Sequence, residues 1–185
     1  FKILNFLKIY IKKNKLKGED LKFVDDLIKN LIKNGCNLKN KERKEFIKIK
    51  KKIINLESKF INNLNNNNDF IKLSKNDLSG LNNDFLSIQK KENNKYIIYL
   101  KKTNVIPILK YCENQKVRKK INYKYNTRAK KNNKILLKII YLKKKLSEIL
   151  GYTNHVNLIS SDLMAKNNKN IQKFLKKIQK NTDKL

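Results

Sequence analysis

The chain has 185 residues, with 46 Lys and Arg against 15 Asp and Glu and a formal net charge of +31. That length suffices for one helical domain with a modest core. A single histidine, His155, and no H-E-x-x-H exclude a self-contained zinc hydrolase site, which needs two imidazoles a helical turn apart and a third ligand. The sequence starts at Phe1 and its only methionine is Met164, so the expectation is a segment excised from a longer chain.

A charge this large ordinarily suggests nucleic acid. Three features argue against it. Arg, the better bidentate reader of bases and phosphates, occurs only at 43, 118 and 128. The lysines run along the whole chain instead of gathering in one stripe or tail. They accompany abundant Asn and Ile, residues that share A/T-rich codons, so biased base composition accounts for them. The reading is a solvated lysine surface with non-specific polyanion adhesion at low salt, no specific nucleic acid and no membrane partner.

In chain order, Phe1 to Lys15 is apolar but broken by lysines at 2, 8, 12 and 13. It cannot be a membrane span, which needs roughly 20 mostly apolar residues, and it lacks the small-residue cleavage site of a signal peptide. Its spacing predicts a helix with Ile3, Leu7, Tyr10 and Ile11 on one face. Leu21, Val24, Leu27, Ile28, Leu31 and Ile32 form a second stripe, stopped at Gly35. The longest helix is predicted from about Lys41 to Leu64, with Phe46, Ile49, Ile53, Leu56 and Phe60 in one seam.

Asn65–Asn68 breaks that helix. Phe70–Leu73 reads as extended, 74–88 as turns and short helix around Gly80, and Tyr96–Leu100 as a β-prone run, giving a two-stranded insertion around 70–73 and 95–101. Pro107 is expected in the first turn of a helix, where its missing donor is harmless. Val117, Ile121 and Tyr125 mark the next helix. Ile135, Leu136, Ile139, Leu142, Leu146, Ile149 and Leu150 mark a long one ending at Gly151. A short helix spans about 153–163. The last starts near Asn168 or Asn170 with Ile171, Phe174, Leu175 and Ile178 inward. The expected fold class is mainly α, one continuous segment over 1–185 with a small two-stranded insertion.

Cys36 and Cys112 lack C-x-x-C spacing and read as reduced, partly buried thiols. Gly18, Gly35, Gly80 and Gly151 are isolated, so no loop cradles phosphate. Asp25 and Asp26 are adjacent and expected on different helix faces. His155 reads as a packed helix residue. No residue is therefore assigned a catalytic, cofactor-binding or metal role.

Leu150-Gly151-Tyr152-Thr153-Asn154-His155 resembles the L-G-[YF]-x-x-H segment of the thimet oligopeptidase, neurolysin and saccharolysin family of zinc metallopeptidases. Phe60-Ile61-Asn62-Asn63-Leu64-Asn65 is similar to its F-x-x-N-L-N. Asp77-Leu78-Ser79-Gly80-Leu81 with Asp84-Phe85 resembles E-L-x-G-L-P-x-D-F. Lys95–Lys101 resembles K-Y-x-I-x-L-K, and Pro107–Cys112 P-x-[LM]-K-x-C. Arg118-Lys119-Lys120, Asn126-Thr127-Arg128, Met164-Ala165-Lys166 and Phe174-Leu175 follow in the family's order. Each motif is weak alone; their order and spacing from about Leu21 to Leu185 make the set specific. The sequence departs from the pattern where Lys33-Asn34-Gly35 and Lys143 stand for a usual Arg, and in a slightly short stretch between Arg128 and Ile135.

The resemblance implies a mostly helical enzyme with two lobes flanking a channel that admits short peptides. Zinc is held there by an H-E-x-x-H helix and a later Glu, all beyond Leu185. This chain would be part of the N-terminal lobe, forming channel wall and scaffold, inactive alone, with the C-terminal catalytic lobe as its partner. The compartment expected is cytoplasmic, with a mitochondrial one also open. Two alternatives are carried beside it: a basic helical nucleic-acid-binding module, and a non-catalytic peptidase remnant acting as an interaction protein.

Overall fold

The computed structural model describes residues 2–183. Among them the order of elements is α1 (Lys2–Asn14), α2 (Gly18–Lys33), α3 (Asn40–Asn65), β1 (Phe70–Leu73), a 3-10 turn (Asn76–Leu78) and α4 (Asn83–Ser87). There follow β2 (Lys90–Glu92), β3 (Lys95–Tyr99), α5 (Lys102–Tyr111), α6 (Gln115–Asn126), α7 (Asn132–Ile149), α8 (His155–Ser160) and α9 (Asn168–Thr182). The mainly helical class holds. The chain forms two compact units, Phe1–Glu57 with Leu137–Leu185, and Ser58–Leu136, so α3 and α7 contribute to both.

In the first unit Leu4 of α1 and Val24 and Ile28 of α2 are buried, with Leu7, Ile11, Leu31, Ile32 and Cys36 packed around them. Ile3 and Tyr10, expected inward, are exposed, and Leu4 takes their place. The apolar residues of α1 spread over more than half of its circumference, so periodicity alone does not choose the face that finds a neighbour. The stop at Gly35 holds. The Gly35 N–H donates to the Ile32 carbonyl at 2.8 Å and the Cys36 N–H to Leu31 at 3.0 Å, the paired bonds of a Schellman ending. Gly35 has φ of +78°, and a Cβ there would meet the Phe46 ring of α3 at 3.0 Å. The α3 seam also holds, with Phe46, Ile49 and Ile53 buried.

The second unit is built on a three-stranded antiparallel sheet of order β1-β3-β2. This corrects the two-stranded expectation. Phe70 pairs with Tyr99 and Leu73 with Tyr96 on one side of β3. On its other side Lys90 pairs with Ile97 and Glu92 with Lys95. Asn93 and Asn94 make the two-residue turn with φ of +46° and +58°, the left-handed pair that a type I′ hairpin requires. β2 escapes sequence reading because Lys90-Lys91-Glu92 has no apolar residue; it is an edge strand whose charges suit an edge. Instead Lys72 of β1 and Glu92 of β2 form an ion pair at 2.9 Å, and the Lys91 ammonium lies 4.6 Å from the Tyr96 ring centroid.

β3 is buried on both faces, at Tyr96, Ile97 and Ile98. Ile71, Leu73, Leu78, Ile98, Val105 and Ile108 anchor one core, joined by Cys112, Val117 and Ile121. Pro107 is a second correction. α5 starts at Lys102, so Pro107 lies past the first turn and cannot donate to the Thr103 carbonyl. Asparagines open four helices, each accepting a backbone N–H: Asn82 from Phe85, Asn114 from Val117, Asn154 from Asn157 and Asn167 from Asn170.

In α7, Ile139 and Leu142 are buried while Leu136 is exposed. The last helix reverses its expectation: no residue of α9 is buried, and Phe174, Leu175 and Ile178 are exposed.

Candidate functional site

The residues that carry the family resemblance can be followed to their contacts. At the α7–α8 junction the Gly151 N–H donates to the Glu148 carbonyl and the Tyr152 N–H to Ser147, both at 2.9 Å, a second Schellman ending with Gly151 at φ +82°. Asn154 then caps α8, accepting the Asn157 N–H at 2.8 Å. The Asn157 amide donates to Thr153 Oγ1 and accepts the Asn168 N–H, each at 2.8 Å, tying α8 to the start of α9. Leu-Gly-Tyr-Thr-Asn-His thus codes a helix stop followed directly by a helix start.

His155 is the first residue of α8. Its Nδ1 is buried and has no hydrogen-bond partner. Burial, and then the Lys143 ammonium, hold the imidazole below its ordinary pKa, while the Glu57 carboxylate pulls the other way. Lys143, standing where the family's Arg was expected, makes one ion pair with Glu57 at 2.7 Å. A single ammonium cannot form the bidentate fork an Arg would offer there.

A folded-state imidazole that resists protonation is a stability term with a sign. The unfolded chain takes up a proton near pH 6.5 that the folded one refuses, so stability is full above that pH and falls as pH falls through it. His155→Gln is expected to flatten this component between roughly pH 7 and pH 5. Urea midpoints of the two proteins across that range check it, and parallel profiles would rule it out.

In the second unit the motif residues also hold turns and joints. Asn63 donates to Asn132 Oδ1 at 2.8 Å, and buried Asn132 donates to the Phe60 carbonyl at 3.0 Å, so F-x-x-N-L-N binds the end of α3 to the start of α7. Asp77 accepts from the Ser74 N–H and hydroxyl at 2.9 and 2.7 Å, and these bonds hold its carboxyl below the usual range. Arg118 donates to the carbonyls of Cys112 and Glu113 where α5 ends. Arg128 donates to the Tyr125 carbonyl and lies over its ring.

Of the remaining candidates, Cys36 and Cys112 are free, in different units. Cys112 is buried, its thiol 3.3 Å from the Asp77 carbonyl. Asp25 and Asp26 do not diverge as fully as expected, because Lys29 reaches both; Lys22 pairs with Asp26 as well. Among the described residues no group of three or more His, Cys, Asp or Glu is placed to share a metal. The Lys143 ammonium and the Glu57 carboxylate are the two charges that act on the imidazole, and they pair with each other. No helix among the described residues is long and apolar enough to cross a membrane.

Comparison with known proteins finds similarity to peptidases. The model of Peptidase family M3 matches residues 108–185 of the chain. The chain is 29% identical over 173 residues to the thimet-like oligopeptidase of Dictyostelium discoideum, covering 91% of this chain and 26% of that protein. It is 26% identical to a probable thimet oligopeptidase of Arabidopsis thaliana, over 95% of this chain and 25% of that protein. Saccharolysin of Saccharomyces cerevisiae is 26% identical over 89% of this chain and 24% of its own length. These matches support the family assignment at partial coverage. The chain spans about a quarter of the length of these relatives.

Proposed function

We propose that this chain is a scaffold segment of a zinc-dependent oligopeptidase. It forms part of the wall of a peptide channel, and the zinc and its activating carboxylate come from elsewhere in the enzyme. The observation that carries this reading is the use made of the motif residues. Gly151, Asn154, Asn63, Asp77, Gly80, Arg118 and Arg128 are all engaged in helix ends, turns and joints. Residues engaged in this way, by adjacent backbone or by partners across a joint, set the shape of a wall.

The chain alone is then expected to hydrolyse no quenched fluorescent peptide and to bind no stoichiometric zinc at neutral pH. Zinc titration by calorimetry with a parallel peptide assay tests both. One tightly bound zinc per chain, or chelator-sensitive turnover, would sink the reading. A longer coding sequence containing this chain and continuing in frame without H-E-x-x-H would count against an active parent enzyme.

A further inference from the structure

Helix α9 presents an apolar face that nothing among the described residues covers. Phe174 is 63% exposed, Leu175 56% and Ile178 45%. With Ile171 they fall within one stripe of about a quarter of the helix circumference at 3.6 residues per turn. Exposed Leu163 and fully exposed Met164 lie just before the helix.

The borders of the stripe are informative about what covers it. Helical spacing puts Gln172 and Gln179 along one border and Asn170 and Asn181 along the other. The five lysines of α9, at 169, 173, 176, 177 and 180, centre on the opposite side, and the helix has no acid. An apolar strip rimmed by neutral amides has the anatomy of a protein interface, a dry core within a polar rim. A helix lying on a lipid surface instead gains from lysines at the edge of its apolar face, where their stems lie along it and their heads reach the headgroups. A second copy of this chain would bring another +31 charge to the contact.

We propose that the Phe174–Leu175–Ile178 stripe of α9 is a docking surface for another part of the peptidase polypeptide, which receives the helix in an apolar groove rimmed by uncharged groups. This rests on the scaffold reading above. It also uses the fact that the chain matches only about a quarter of each relative's length. The amide rim has a consequence that the overall charge does not share: this contact is insensitive to salt, whereas adhesion through the lysine side is not.

The probe is the recombinant remainder of the Dictyostelium relative, lacking the stretch aligned with this chain, used once circular dichroism and a cooperative melt show that it is folded. Its binding is measured by calorimetry at about 50 mM and about 500 mM salt. The expected affinity changes by less than about threefold with salt, and the double variant Phe174→Ser, Leu175→Ser loses about tenfold or more. Lys173→Glu with Lys177→Glu, on the far side, stays within about threefold of the unsubstituted chain. All four side chains are exposed, so unchanged circular dichroism and melting confirm that each variant folds. No binding, binding lost at high salt, or binding indifferent to the Phe174 and Leu175 changes would each overturn the proposal. So would uptake by phosphatidylserine vesicles, or dimerisation of the chain alone, that those two changes abolish. Peptide hydrolysis by the mixture separates this proposal from the reading beneath it. Zinc-dependent turnover unaffected by the apolar variant leaves the scaffold reading standing without the docking face. Binding that needs the face, in a chain that itself holds zinc, removes the scaffold reading alone.

Discussion

Gly80→Ala is expected to destabilise the chain by roughly 3 kcal/mol or more, among the largest effects of any single substitution. The cause is geometric. Gly80 has φ of +85°, and a Cβ built there would lie 2.3 Å from the Tyr111 carbonyl oxygen and 2.9 Å from Glu113 Cγ. The first neighbour is backbone at the end of α5 and cannot swing aside. The loop is also tied to that helix end, since the Glu113 N–H donates to the Ser79 carbonyl at 2.9 Å. Either the hydrogen bond or the helix end must yield. Urea denaturation followed by circular dichroism measures the loss, and a midpoint within error of the unsubstituted chain would mean that the loop relaxes freely. Gly18 and Gly151 supply a contrast: their positive φ also favours glycine, but nothing lies within 4 Å of an added Cβ. Alanine there is expected to cost only the backbone term, on the order of 1 kcal/mol.

Ile98→Ala is the second large effect, about 3 to 4 kcal/mol from the general cost of emptying a core isoleucine site. Ile98 is wholly buried on the central strand and packs in the cluster that includes Ile71, Val105, Ile108 and Ile121. Strands on both sides and helices of the same core leave little room to collapse into the gap. Ile98→Val, which removes one methylene, is expected to cost about 1 kcal/mol. The ratio of the two losses, read from the same urea curves, checks that burial is responsible. Equal losses would point to an effect on the strand backbone.

Much of this architecture is written in local patterns. Gly35 and Gly151 end helices as their positions suggest, because a left-handed residue closing two carbonyls is a property of a few adjacent residues. The α3 seam is legible for a similar reason: three- and four-residue spacing repeats over many turns. What a sequence hides is the identity of the neighbour. Ile3 and Tyr10 share the apolar character of Leu4, and only the approach of α2 selects among them. Lys90-Lys91-Glu92 becomes a strand because β3 lies beside it, not because its residues favour one. The α9 stripe is periodic enough to predict burial, yet it faces outward.

The candidate site divides in the same manner. His155 is conspicuous as the only histidine, but its setting is not legible. Glu57 and Lys143 are 86 residues apart in sequence and meet only in the fold, 2.7 Å from nitrogen to oxygen. The Asn63–Asn132–Phe60 joint is equally non-local.

The four asparagine caps bear on a different property. Asn82, Asn114, Asn154 and Asn167 each use a side-chain oxygen to accept a backbone N–H, a task that an aspartate oxygen performs as well. Aspartate at all four would retain every one of those bonds and set a negative charge against the positive end of each helix. It would also lower a net charge of +31 by four units. The helix starts are therefore places where this chain's electrostatic self-repulsion can be relieved without repacking a side chain, a practical route to a better-behaved protein in solution.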